Sequence, residues 1–149
     1  MKNTRTMEIY NQYVCPKCFH KLPECTCGES IPETLLHIDE GLQEHIRILC
    51  NKGYYTTVCC EGHWNEEHGI YTYIGCKADI DKAVDIFPLP NGFKLDRRNK
   101  IINCKIKSDL GKEKAEGLKA KRLNDLLEWI ESLPAYGEVL SMSWSKNHD

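Results

Sequence analysis

Four cysteines near the start of the chain constrain its fold more than any other feature. They are Cys15, Cys18, Cys25 and Cys27, in the spacing C-x₂-C followed by C-x-C-G. Four thiolates complete the tetrahedral shell that Zn²⁺ prefers, and Gly28 permits the tight backbone path that the second, shorter pair needs. The spacing predicts one structural zinc ion in a knuckle over residues 1–30, whose folding the metal drives. Because this site is closed, we expect no catalytic role for its zinc.

Composition sets the expected compartment. The 149 residues contain no run of about 20 apolar residues that could cross a membrane, and the N-terminal residues lack a signal-peptide pattern. We therefore expect a cytoplasmic protein without a membrane partner. Its nine cysteines are then expected to be reduced, so that close pairs hold metal more often than they form disulfides.

Apolar periodicity predicts an α+β domain over residues 31–149. The predicted elements are a helix with Asp39 as its N-cap and Gly53 after its end, strands 54–60 and 70–76, a short helix 79–87, strands 93–96 and 100–107, a long helix 112–133 and a last strand at 139–144. Short connections between consecutive strands favour an antiparallel sheet with helices packed on one face.

Three finer expectations concern the helices. In the first helix, Ile38, Leu42, Ile46 and Leu49 form one apolar stripe. His45 lies beside that stripe, and we interpret it as a packed histidine that bonds to backbone. Only the second half of the long helix has an apolar stripe, so its charged first half is expected to project from the domain or to fray.

A second group of ligand-type side chains follows the first predicted strand. Its members are Cys59, Cys60, Glu61, His63, His68 and Cys76. Strand alternation places Cys59 and Cys60 on opposite faces, and we expect Cys60 and Cys76 to approach each other across the hairpin. Thiolate, imidazole and carboxylate together suit a second metal ion, a ligand-binding loop or a cysteine nucleophile. Cysteine also packs in sheets as a small hydrophobe, so a purely structural role is the fourth interpretation.

Positive charge is concentrated late in the chain, although the net charge is −2. Residues 94–122 contain eleven Lys or Arg and four Asp or Glu, a local balance of +7. The candidate anion-binding residues are Lys94, Arg97, Arg98, Lys100, Lys105 and Lys107. Such a cluster gives salt-dependent affinity for nucleic acid or a phosphorylated small molecule, and the alternative is an ordinary solvated hairpin. Phe93, just before this segment, is the one aromatic residue beside them, which argues against a stacking platform for single strands.

The motif NKGYYTTVCCEGH, from Asn51 to His63, together with Tyr73-Ile74, resembles a group of small, mostly uncharacterised proteins of bacteria and their phages. Their pattern is N-x-x-G-Y-x-T-x-x-C-C-x-G-H, and a knuckle often precedes it. The turn is also similar to the Cys-Ser-Gly-Arg turn of the wybutosine-synthesis tRNA methyltransferase family. Here Glu61 and His63 replace that serine and arginine, so two positions that would carry this activity are altered.

These observations lead to one expected function and two alternatives. We expect a zinc-stabilised, non-catalytic protein that binds an anionic partner, either nucleic acid or a nucleotide. The resemblance implies that it is an accessory protein of a phage or mobile element. The alternatives are an inhibitor of a host defence protein and a tRNA-modifying, methyltransferase-like enzyme that uses the loop from Cys59 to His63.

Overall fold

The computed structural model describes residues 13–14, 36–37, 39–77 and 79–148. In chain order the elements are β1 (Tyr13–Val14), β2 (Leu36–His37), a 3₁₀ helix (Glu40–Leu42), α1 (Gln43–Asn51), β3 (Thr56–Cys60), β4 (Ile70–Cys76), α2 (Ile80–Ile86), β5 (Phe93–Asp96), β6 (Ile101–Ile106), a second 3₁₀ helix (Ser108–Leu110), α3 (Lys112–Ser132) and α4 (Tyr136–His148). The predicted zinc ligands Cys15, Cys18, Cys25 and Cys27 lie outside the described residues, as does Ile38.

Strands β3 to β6 form one antiparallel sheet in the order β3-β4-β6-β5. The hairpins β3–β4 and β5–β6 are joined by pairing between β4 and β6, so that Ile74 of β4 lies opposite Ile102 of β6. The short strands β1 and β2 form a separate antiparallel pair, with Tyr13 opposite His37. The expected α+β class with an antiparallel sheet is confirmed.

One face of the sheet is buried beneath helices. Alternation along β4 and β6 places every second side chain on this face, and these residues are all buried: Ile70, Thr72, Ile74, Cys76, Ile102, Cys104 and Ile106. Helices α1 and α3 contact each other and the strands, and they bury Leu42, Ile46, Leu49, Ala115, Leu126 and Ile130 in the same core. The prediction that helices pack on one face is confirmed.

The first half of α3 does not project from the domain, so that expectation is wrong. Ala115 is fully buried, and Leu118 packs against the core. Lys119 reaches the turn after β3, where its ammonium group donates to the carbonyl of Gly62. These three positions follow helical spacing, so the charged residues of this half occupy the outer side of the helix and leave a narrow inner side for packing.

The predicted last strand is instead the helix α4, so that prediction is also wrong. Val139 is fully buried, whereas Met142 and Trp144, which the predicted strand would place together on its other side, are 42% and 63% exposed. The Tyr136 amide donates to the carbonyl of Lys52 at 2.7 Å, which holds the start of α4 against the end of α1. The alternation of residue types over these six positions therefore did not indicate a strand, because the burial of one residue, Val139, is enough to attach this helix to the core.

The end of α3 is capped by a side chain from another helix. The ammonium group of Lys52 donates to the carbonyls of Ile130, Glu131 and Leu133 at 2.9, 2.7 and 2.6 Å. The Ile130 carbonyl also accepts the Leu133 amide at 3.2 Å, but carbonyls in the last turn of a helix lack the usual i+4 amide partners, and a cation near them interacts favourably with the helix dipole. Lys52 precedes Gly53, which has a φ of 93° and ends α1 as the sequence predicted.

His45 is packed as expected. Its Nε2 atom lies 2.7 Å from the carbonyl oxygen of Leu123, and the residue is 5% exposed. Burial lowers the pKa of His45 below its usual value, so the ring is held neutral and donates to the carbonyl. This hydrogen bond joins α1 to the middle of α3, and the predicted packing role is confirmed.

Candidate functional site

The turn that follows β3 is set by Gly62. Its φ is 92°, and a Cβ added there would lie 2.6 Å from Ile70 Cγ2 and 2.9 Å from Thr72 Oγ1. The neighbouring carbonyl of Glu61 accepts a hydrogen bond from the Thr72 hydroxyl at 2.7 Å. Only a residue without a side chain fits this close approach to β4, so Gly62 fixes the path of the backbone as it leaves β3, ahead of the reversal between Asn65 and Gly69.

Asp39 contacts this turn instead of capping a helix. The sequence predicted an N-cap, but the Asp39 side chain makes no capping hydrogen bond to the 3₁₀ helix Glu40–Leu42. Its Oδ2 atom accepts the backbone N–H of Glu61 at 3.0 Å and lies 3.6 Å from Nε2 of His63. The carboxylate, 17% exposed, thus satisfies a backbone donor from a residue 22 positions away.

Lys119 of α3 holds the other side of the turn. Its Nζ atom donates to the carbonyl of Gly62 at 2.7 Å and lies 3.4 Å from Oε2 of Glu61. Both side chains of this ion pair are only about one-fifth exposed, at 20% for the lysine and 22% for the glutamate. The Glu61 carboxylate also packs against Gly41, where a Cβ would collide with it. The turn is therefore fixed by residues from three parts of the chain.

The turn brings together three side chains of types that bind metals. The ligand atoms of Asp39, Cys60 and His63 all lie within 4.8 Å of one another. Cys60 and His63 were among the predicted ligands, whereas Asp39 was missed because its position suggested a local helix cap. The protein thus contains a group of side chains that can hold a metal ion.

The other predicted ligands lie apart from this group. Cys59 faces the core opposite Ile74, and burial raises its pKa to about 11. Cys76 lies opposite Thr56, so the expected approach of Cys60 to Cys76 is wrong. The hairpin register shifts by one residue between Thr56 and Cys59, which the sequence did not reveal.

Burial also raises the pKa of Cys76, to about 12. His68 lies near the far end of the loop with its side chain 82% exposed, beside Glu67. Glu61 is engaged by Lys119.

Burial and the charge of Asp39 raise the pKa of Cys60, so its metal-free thiol is protonated and a weak nucleophile. The geometry therefore favours a metal or ligand role for the turn over the cysteine nucleophile.

The second face of the sheet presents tyrosines beside lysines. Register places Cys60, Tyr73, Asn103 and Lys94 in one row across the four strands, and Tyr71 opposite Lys105 in the next row. We call these six residues the tyrosine face. Tyr71 is 42% exposed, and Lys94 and Lys105 are exposed as well. The face therefore combines aromatic rings and cations that solvent can reach.

The two tyrosine rings are neighbours. Their centroids lie 5.4 Å apart, and the ammonium group of Lys105 lies 5.4 Å from the centre of the Tyr71 ring. Beside them is a concavity of about 420 Å³, lined by His68, Gly92, Lys94, Asn103, Lys105, Ile106 and Lys107. Aromatic faces next to cations are the groups that bind bases and phosphates.

The predicted basic residues divide into two sets. Lys94, Lys105 and Lys107 line the concavity. Arg97 instead pairs with Asp85 at 2.7 Å, and Lys100 pairs with Asp79 at 3.2 Å. Arg98 is exposed in the same turn between β5 and β6.

The tyrosines were missed because they lie on β4, outside the basic segment. Their signal was the alternation of β4, in which Tyr71 and Tyr73 occupy the positions between the apolar core residues.

Comparison with protein-family models, with curated proteins and with solved structures gives no significant match. Function must therefore be argued from the geometry of the site. Within the described residues, no helix combines the length and the apolar character needed to cross a lipid bilayer.

Gly62→Ala tests the turn. The methyl group of the alanine would collide with Ile70 and Thr72. The alanine would also have to keep the φ of 92°, which L residues rarely adopt. We expect the free energy of unfolding, measured by urea denaturation, to fall by about 1–3 kcal/mol.

Gly117→Ala is the matched control. This glycine is exposed in α3, and no heavy atom of the described residues lies within 4 Å of a Cβ added there. The control should gain up to about 1 kcal/mol from helix propensity. A Gly62→Ala protein as stable as the wild type would contradict the proposed role of the turn.

Proposed function

We propose that this protein binds single-stranded nucleic acid on the tyrosine face. The observation that carries the proposal is the adjacent pair Tyr71 and Tyr73 on β4, with lysines on β6 and β5, the next two strands of the sheet. Bases stack on such rings with little sequence preference, and each stacked base contributes about 1–3 kcal/mol. Lys94 and Lys105 supply the positive charge that phosphates need.

The arrangement favours a single strand over a duplex. Stacking on a tyrosine requires an exposed base face, and the bases of a duplex are already stacked on each other. The Asn103 amide, between Tyr73 and Lys94 in the row, offers both a donor and an acceptor to a base edge. Lys107 extends the cationic lining along the concavity, with His68 also on its wall, where the backbone of the strand would continue.

A non-catalytic accessory role fits this geometry. The resemblance of the motif from Asn51 to His63 suggests a protein of a phage or mobile element, and nucleic-acid binding is a function that such an element uses. The inhibitor and methyltransferase alternatives have no comparable support from the contacts of the turn, where Lys119 engages Glu61.

We also infer that the knuckle cysteines hold one structural zinc ion. Their spacing supports this, and so does the antiparallel pairing of β1 with β2, which joins the two flanks of the cysteine segment. The proposed ligands are Cys15, Cys18, Cys25 and Cys27. Four thiolates close the shell, so this ion would stabilise the fold and take no part in a reaction.

Anisotropy of a fluorescent single-stranded oligonucleotide tests the proposed binding. Tyr71→Leu and Tyr73→Leu should each weaken binding by about 5- to 150-fold, the equivalent of one lost stacking contact. Tyr55→Leu is the matched control, because Tyr55 is 58% exposed but lies before the opposite end of β3. A Tyr55 effect as large as the other two, or equal affinity for a duplex, would contradict the proposal.

The same assay tests the lysines through salt. In the double variant Lys94→Gln/Lys105→Gln, the slope of log affinity against log salt should become shallower by about 1.4, since each single-strand phosphate contact contributes about 0.7. Lys114→Gln/Lys121→Gln makes the same charge change on α3, whose inner side packs on the other face of the sheet. Equal slopes in the two double variants would reject the tyrosine face as the site.

Metal analysis tests the knuckle. The full chain, purified without chelator, should contain one more equivalent of zinc per chain than the double variant Cys15→Ser/Cys18→Ser purified in the same way. Equal zinc contents in the wild type and this variant would contradict the Cys₄ site.

A further inference from the structure

We propose that Asp39, Cys60 and His63 form a second metal site, which binds one divalent transition-metal ion of the zinc class and leaves one coordination position open. The proposal rests on the mutual approach of three different ligand atoms, all within 4.8 Å of one another. It is independent of nucleic-acid binding, and it uses no residue of the knuckle.

The distances suit a tetrahedral ion after a small adjustment. Zinc lies about 2.0–2.3 Å from nitrogen, oxygen and sulfur ligands, so the ligand atoms of a tetrahedron are roughly 3.3–3.8 Å apart. Oδ2 of Asp39 and Nε2 of His63 are already 3.6 Å apart. His63 is 69% exposed and can rotate, while Cys60 is fixed at the end of β3 and supplies the anchored sulfur.

The ligand set selects the class of metal. A thiolate with an imidazole suits Zn²⁺ and its neighbours Co²⁺ and Ni²⁺, whereas Mg²⁺ and Ca²⁺ require oxygen ligands. A thiolate and a carboxylate together carry the two negative charges that neutralise a divalent ion. Three protein ligands leave the fourth position of a tetrahedron open, in contrast to the closed shell expected for the knuckle.

The surroundings of the ligands hold them in place. The Glu61 amide donates to Asp39, and the Gly62 amide donates to the sulfur of Cys60 at 3.4 Å. Lys119 in turn holds Glu61 and Gly62. Such hydrogen bonds around a metal site orient the ligands before the ion arrives, and the N–H group at sulfur favours its thiolate.

The site lies at one end of the tyrosine face. Cys60 is directly opposite Tyr73 in the hairpin, at the edge strand β3. Because His63 is mostly exposed, solvent reaches this end of the row, and the open position can take a water molecule or an anion.

Zinc titration of the full-length chain against a chelating dye tests the site. His63→Ala should weaken the affinity for one of the two zinc ions more than tenfold and leave the affinity for the other unchanged. His68→Ala is the matched control, since its side chain is 82% exposed in the same loop and lies outside the ligand group. Equal effects of the two substitutions, or no effect of His63→Ala, would overturn the proposal.

Cobalt substitution identifies the ligands without relying on affinity alone. In a Cys15→Ser/Cys18→Ser background, one Co²⁺ should still bind and give a sulfur-to-cobalt charge-transfer band. That band should disappear with Cys60→Ala and persist with Cys59→Ala, because Cys59 faces the core. If both cysteine variants keep the band, or the background binds no Co²⁺ while circular dichroism shows it folded, the proposed site is wrong.

Discussion

The hydrogen bond from the Glu61 amide to the Asp39 carboxylate is the interaction on which the rest of the candidate site depends. It joins the residue before the first helices to the end of β3, and Lys119 completes the attachment from α3. Without an acceptor at Asp39, a partly buried backbone donor would lose its partner. The same bond places the carboxylate beside His63, so one contact both shapes the turn and gathers the metal-binding group.

The tyrosine face follows from the alternation that builds the core. Burying Ile70, Thr72 and Ile74 necessarily turns Tyr71 and Tyr73 to the other side of the sheet. Register then aligns these rings with residues from strands that are distant in sequence. Stacking groups, cations and a group of side chains that can hold a metal ion thereby meet on one surface, which is the physical basis for proposing a nucleic-acid-binding protein.

Much of the fold could be predicted from the sequence, because alternation in β4 and β6 and the apolar stripe of α1 are unambiguous. Predictions failed where tertiary contacts decide. Asp39 has the local signature of a helix cap, yet its acceptor is used by a residue far along the chain. The register shift between Thr56 and Cys59 places Cys60 opposite Tyr73 instead of the buried Thr72, and the segment around the buried Val139 is the helix α4 instead of a strand. No local pattern encodes these three outcomes.

The central claim is that nucleic acid lies across the tyrosine face, and mapping by nuclear magnetic resonance tests it most directly. In a titration of ¹⁵N-labelled protein with a short single-stranded oligonucleotide, the account predicts the largest amide shifts at Tyr71, Tyr73, Asn103 and Lys105. Shifts confined to the turn from Arg97 to Lys100, or to the outer surface of α3, would contradict it.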